Sequence, residues 1–130
     1  MSRYLVDTRV WLWLQSEPSR LRPEALELVE DAANDILLSA ASAWEIAIKY
    51  QLGKLPLPQE PSRYVLDRMR RSGTTPLPVE HPHVLRTSDL PDHHRDPFDR
   101  LLVSQAQILD IPIMTADRQI TAYDVAVITA

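Results

Sequence analysis

The chain has 130 residues, no cysteine and a formal net charge of −4 from 18 acidic and 14 basic side chains. That length suits one domain, expected over residues 1–130, able to bury about 68% of the surface its unfolded chain exposes. The 45% hydrophobic and 25% charged fractions are those of an ordinary globule. Without cysteine, disulfides and thiolate-held metals are excluded, which is compatible with a reducing cytoplasm. No apolar run approaches the ~18 residues of a membrane span, and Met1 to Thr8 lacks the layout of a signal peptide, so no membrane partner is expected. The acidic total carries no overall basic footprint for non-specific phosphate binding.

Arg3-Tyr4-Leu5-Val6 is a β-prone run ending at Asp7-Thr8, a strand leading into a helix cap. Val10, Trp11 and Leu14 give the following helix its apolar face, closed near Glu17-Pro18. A second helix is expected from Pro23, with Leu26, Val29 and Ala33 on one side. Asn34-Asp35 breaks it, and Ile36 to Leu38 reads as a buried strand. Ser39 to Leu52 forms a third helix stopped by Gly53, then a proline-rich loop runs from Leu55 to Pro61. Ser62 to Arg71 is a helix ended by Ser72-Gly73. Thr74 to Val79, with two prolines, is an edge strand. Glu80 to Arg86 is a weak helix and Thr87 to Arg95 a polar loop. Asp96-Pro97 opens a further helix as N-cap and first residue, with Phe98, Leu101, Leu102, Ala106 and Leu109 spaced for one buried face. Ile113 to Thr115 and Val125 to Ile128 are the last strands. The acidic stretch from Glu24 to Asp35 and the basic one from Arg63 to Arg71 read as solvated faces. Strands alternating with helices throughout imply an α/β fold with a mostly parallel sheet.

In such sheets ligands bind outside the carboxyl ends of the strands. Asp7 and Asp117 follow two strands, Glu45 lies in the first turns after a third, and Asp99 lies in the first turn of the helix opened by Pro97. Each of these acids also has a local role: Asp7 and Asp96 as helix caps, Asp117 as a turn residue. Glu45 stands three residues after Ser42 in a capping-box pattern and four before Lys49 at ion-pair spacing. Asp99 has the least structural reason to be there, since one cap suffices for its helix. Several carboxylates in one pocket repel each other unless a cation neutralises them or some take up protons. Oxygen ligands without cysteine select Mg²⁺ or Mn²⁺, and such a site suits phosphodiester hydrolysis.

Tyr4-Leu5-Val6-Asp7-Thr8, Ser39-Ala40-Ala41-Ser42-Ala43-Trp44-Glu45-Ile46-Ala47-Ile48-Lys49, Asp96-Pro97-Phe98-Asp99-Arg100-Leu101-Leu102 and Thr115-Ala116-Asp117 resemble, in order and spacing, the PIN-domain ribonucleases. More narrowly, they resemble the VapC-type toxins of toxin–antitoxin modules. The resemblance implies an α/β/α sandwich and a cytoplasmic toxin that cleaves RNA endonucleolytically with Mg²⁺ or Mn²⁺, transfer and ribosomal RNA both suiting the family. By motif, Asp7, Asp99 and Asp117 match its metal-binding acids and Glu45 the acid on the third helix, as ligand or as the group that orients water. Asp96 matches an additional acid of one branch, here either a support behind the metal-binding acids or a cap. The resemblance further implies a VapB-type antitoxin, a homodimer, and DNA contact only through the antitoxin. Arg9 stands where many of this branch carry histidine. Arg9 and Arg100, nearest the acids in sequence, are the expected phosphate contacts. His93 and His94 read as exposed loop histidines, with a proton shuttle or metal ligand as the rival role, and Trp11, Trp13 and Trp44 as core or interface packing. Two other functions remain open: a non-catalytic binding domain of the same fold with its acids as caps, and a metal-dependent nuclease acting on DNA.

Overall fold

The computed structural model describes residues 2–130. Five strands, β1 (Arg3–Val6), β2 (Asp35–Ser39), β3 (Thr75–Leu77), β4 (Ile113–Thr115) and β5 (Val127–Thr129), form one sheet in the order β3-β2-β1-β4-β5. All four pairings are parallel, with Leu5 facing Leu37 on one side and Ile113 on the other. Among the described residues, seven α-helices connect and flank the strands: α1 (Thr8–Ser16), α2 (Pro23–Glu30), α3 (Ala40–Gln51), α4 (Pro61–Ser72), α5 (His81–Arg86), α6 (Pro97–Leu109) and α7 (Arg118–Thr121).

Because side chains alternate across a strand, successive apolar residues serve opposite layers. Val6, Ile36, Leu38 and Met114 pack with Val10 and Trp11 of α1, Ala25 of α2, Ile46 of α3 and Val65 of α4. Leu5, Leu37, Leu77 and Ile113 face the other way, onto Leu102, Val103 and Ala106 of α6 with Ile120 and Tyr123. The result is the expected α/β/α sandwich with its sheet covered on both faces, as parallel sheets require.

Most expected boundaries agree within one or two residues. The proline-containing β3 lies at the sheet edge, where its missing N–H costs no ladder bond. Gly53 and Gly73 take positive φ at +72° and +68° just past α3 and α4, as expected of helix-ending glycines. Four details differ. The second helix stops at Glu30, so Ala33 lies beyond it. A short 3₁₀ turn fills Pro18–Arg20, and α7 forms directly after Asp117. The Ser42 capping box is not formed: Ser39 caps α3 by accepting from the Ala41 N–H at 3.0 Å, and Ser42 lies fully buried inside the helix.

The chain runs from β1 outwards to β2 and β3, then returns to place β4 on the other side of β1. The crevice at such a reversal, outside the carboxyl ends of the strands, is where open α/β sheets bind ligands.

Candidate metal centre

Asp7 directly follows β1 and caps α1, its Oδ1 accepting from the Val10 N–H at 2.7 Å. Its other oxygen accepts from the Thr115 hydroxyl at 2.5 Å, and that hydroxyl in turn accepts from the Asp117 N–H at 2.9 Å. The last residue of β4 therefore holds the acids of two strand ends in register. Asp117 caps α7 through Oδ1, which accepts from Gln119 N–H at 2.9 Å. Asp96 caps α6, accepting from the N–H groups of Phe98 and Asp99 at 2.8 and 3.2 Å. Glu45 is buried on α3, with Thr8 Oγ1 at 2.7 Å from one oxygen and Lys49 Nζ at 2.5 Å from the other. The Lys49 ion pair matches the spacing seen in the sequence.

Asp99 caps nothing, yet it lies where the others converge. A cavity of about 620 Å³ is lined by Asp7, Glu45, Asp96, Asp99 and Asp117 at one end. Burial, followed by the neighbouring charges of Asp96 and Glu45, pushes the Asp99 carboxyl up to about 7. Burial also raises Asp7, against the opposing pull of its bonds to Thr115 and Val10 and of the nearby Arg9. Acids separated by 38, 54 and 18 positions thus share one electrostatic environment, which favours either bound protons or a cation.

His94 corrects the sequence reading. It is 9% exposed rather than a free loop residue. Its Nε2 is hydrogen-bonded to Asp117 Oδ2 at 2.9 Å and lies 3.0 Å from Asp99 Oδ2. Among the described residues, ligand atoms of His94, Asp99 and Asp117 all lie within 4.8 Å of one another. His93 is exposed as expected, with its ring edge-on to Tyr123 at 5.0 Å.

Arg100 is also placed differently from the expected phosphate contact. Its guanidinium donates to the carbonyls of Thr87, Pro91 and His94 and to Tyr123 Oη, at 2.8 to 3.4 Å. With those donors engaged, it pins the 87–95 loop to α6 instead of facing the cavity. Arg9 does line the cavity, together with Arg20, Lys49 and Lys54. Trp11 is core, with no exposed surface. Trp44 is not: it is 63% exposed and rests edge-on against Phe98 at 5.3 Å, so Phe98 covers a surface tryptophan while Leu102 anchors the helix.

A profile of the PIN domain family matches residues 4–126. The chain belongs to the PIN domain family. A curated relative, ribonuclease VapC16 of Mycobacterium tuberculosis, is 63% identical to this PIN domain over 60 residues, which are 46% of this chain and 43% of that protein. Among solved structures, the VapBC2 complex of Rickettsia felis bound to a promoter DNA fragment contains a chain with TM-score 0.71 and 13% identity, covering 97% of each. A toxin–antitoxin complex of Klebsiella pneumoniae gives 0.65 at 17% identity over 97% of this chain and 96% of that one. At those identities the structural likeness establishes the fold.

The donor set of this PIN domain fits a hard divalent cation. Asp7, Glu45, Asp99 and Asp117 offer oxygen only, and among the described residues Lys49 on Glu45 and Arg9 near Asp7 only partly offset their like charges. No helix among the described residues is long and apolar enough to cross a membrane.

Proposed function

We propose that this chain is a single PIN domain acting as the toxin endoribonuclease of a VapBC-type toxin–antitoxin module, with Mg²⁺ or Mn²⁺ as its cofactor. The observation that carries the reading is the convergence of Asp7, Glu45, Asp99 and Asp117 on one cavity, with Asp99 raised to about 7 by burial and then by the charges of Asp96 and Glu45. The 63% identity to a ribonuclease VapC over 60 residues supports RNA as the substrate. The toxin–antitoxin complexes among the structural relatives support a VapB-type antitoxin as partner. A homodimer and a cytoplasmic location belong to the same reading, and DNA enters it only through the antitoxin.

Asp7, Asp99 and Asp117 would hold the cation. When bound, it supplies Lewis-acid stabilisation of the phosphate charge and makes water a stronger nucleophile at neutral pH. The chain's own groups do the rest. Thr115 fixes the rotamer of Asp7, so its oxygens meet the crevice without an ordering cost at each turnover. Glu45, held by Thr8 and Lys49, presents a carboxylate of fixed orientation that directs water or accepts its proton. Arg9, exposed at the cavity edge, contacts the substrate phosphate.

Asp7→Asn is the decisive test. The amide oxygen still accepts the Val10 N–H, so the variant folds, with a melting temperature within a few degrees of the parent. Its Mg²⁺-dependent RNA cleavage falls at least about 100-fold. Retained cleavage removes Asp7 from the site. The rival reading, a non-catalytic binding domain, draws on the capping bonds that Asp7, Asp96 and Asp117 all make. It requires that Mn²⁺ leave the melting temperature unchanged, whereas a site at 100 times its Kd gains about 2.7 kcal/mol. Parallel assays on RNA and DNA of one sequence separate the two nucleic acids.

A further inference from the structure

His94 sits among the carboxylates with no role assigned so far. Its two ring nitrogens face different partners, and those partners determine its proton. Nδ1 accepts from the Asp96 backbone N–H at 3.1 Å. A backbone amide can only donate, so Nδ1 carries no proton and the neutral ring must carry it on Nε2. That Nε2–H faces Asp117 Oδ2 at 2.9 Å and Asp99 Oδ2 at 3.0 Å.

The ring is also held from behind. The His94 N–H donates to Tyr123 Oη at 2.9 Å, and Arg100 reaches the His94 carbonyl and Tyr123 Oη at 3.4 and 3.1 Å. Arg100 follows Asp99 on α6, while Asp117 and Tyr123 flank α7. His94 therefore ties the first turn of α6 to the turn after β4, and the acid of each comes to the same N–H.

A ligand role fits this arrangement poorly. Metal-bound histidines normally donate their second N–H to an acceptor. Here the second nitrogen meets a donor, so coordination through Nε2 would place two N–H groups against each other at 3.1 Å.

We propose that His94 is a positioning residue of the acidic centre, its Nε2–H setting the spacing at which Asp99 and Asp117 meet a divalent cation. The inference rests on the metal-centre reading above and deepens it. The contact of each carboxylate with His94 runs through Oδ2. Asp99 Oδ1 makes no capping bond, and Asp117 Oδ1 accepts only from Gln119. The histidine thus orients the pair without filling its ligand capacity.

The test compares His94→Ala and His94→Gln with the parent in calorimetric titrations with Mn²⁺. Circular dichroism confirms that each variant is folded. Loss of an outer positioning partner typically weakens metal binding 10- to 100-fold, so His94→Ala is expected to bind Mn²⁺ at least about 10-fold more weakly. Glutamine retains an N–H donor at similar reach but no ligating ring nitrogen, and it restores most of the affinity. Equal loss in both variants makes His94 a direct ligand and overturns the proposal, as does a His94→Ala protein that binds as tightly as the parent. A parent that binds no Mn²⁺ brings down the metal-centre reading itself, a result distinguishable from the other two. Should His94→Ala not fold, nitrogen-15 NMR of the metal-free parent decides. A slowly exchanging proton on Nε2 with Nδ1 unprotonated supports the bridge, and a proton on Nδ1 overturns it.

Discussion

At the residue scale Asp99 differs from its neighbours in what its oxygens do. Asp7, Asp96 and Asp117 each accept a backbone N–H of the helix they precede. Asp99 has no such bond, and burial among like charges pushes it up to about 7 from an ordinary value of 3.8. The folded metal-free protein therefore keeps a proton that the unfolded chain releases. Its contribution to stability is complete below about pH 4 and is lost as pH rises towards 7, a change on the order of a few kcal/mol. Urea midpoints measured in EDTA should fall between about pH 5 and about pH 8, and Asp99→Asn should flatten that slope. Mn²⁺ should reverse the trend, because the cation needs the ionised carboxyl and releases its proton on binding. A slope that Asp99→Asn leaves unchanged would assign the proton to another group.

At the scale of elements, one aspartate does two things for α6. Asp96 satisfies two orphan N–H groups of the first turn, and its charge is the largest electrostatic contribution to the raised Asp99. These roles separate by substitution. Asp96→Asn keeps an accepting oxygen and so retains the cap, whereas Asp96→Ala loses about 1 kcal/mol of stability. Both remove the charge, and in both the Asp99 midpoint followed by carbon-13 NMR should move down. An unmoved midpoint would leave burial, with Glu45 and Asp7, as the cause. The start of α6 was readable from Asp96-Pro97 because caps and first-turn prolines act within a few residues. The same locality made Asp7, Gly53 and Gly73 readable, and alternating apolar strands disclosed the covered sheet. His94, Arg100 and Phe98 were not readable in this way. Burial of His94 depends on Tyr123 Oη from 29 positions away, and Arg100 is drawn to carbonyls of a loop whose route no local pattern specifies. Phe98 has core spacing but lies at the helix start beside Trp44, where a surface tryptophan replaces the core as its partner. Convergence of the acids was an inference from strand ends, and it depends on β4 pairing beside β1, a register that only tertiary structure supplies.

Across the whole molecule, a net charge of −4 and an acidic centre oppose the approach of the proposed RNA substrate, and the distribution of bases answers this locally. Besides the acids, the cavity wall carries Arg9, Arg20, Lys49 and Lys54, together with Leu55, Pro56, Leu57 and Pro58. Lys49 is bound to Glu45, and Arg20 lies over the Trp13 ring at 4.6 Å, so these cations are held along one groove instead of scattered over the surface. A single strand laid in this groove would place one phosphate at the acids and its neighbours against the bases. Each phosphate neutralised contributes about −0.7 to the slope of log affinity against log salt for single strands. Replacing Arg20 and Lys54 by glutamine should therefore raise KM for RNA, leave kcat within about two-fold, and flatten the salt slope by about 1.4. Both residues are exposed, and Arg20 gives up only its contact with the Trp13 ring and a 4.0 Å ion pair with Glu17, so stability should fall by no more than about 1 kcal/mol. A kcat loss with KM unchanged would place these bases at the reacting phosphate, and no change in either would move the substrate path to another face of the protein.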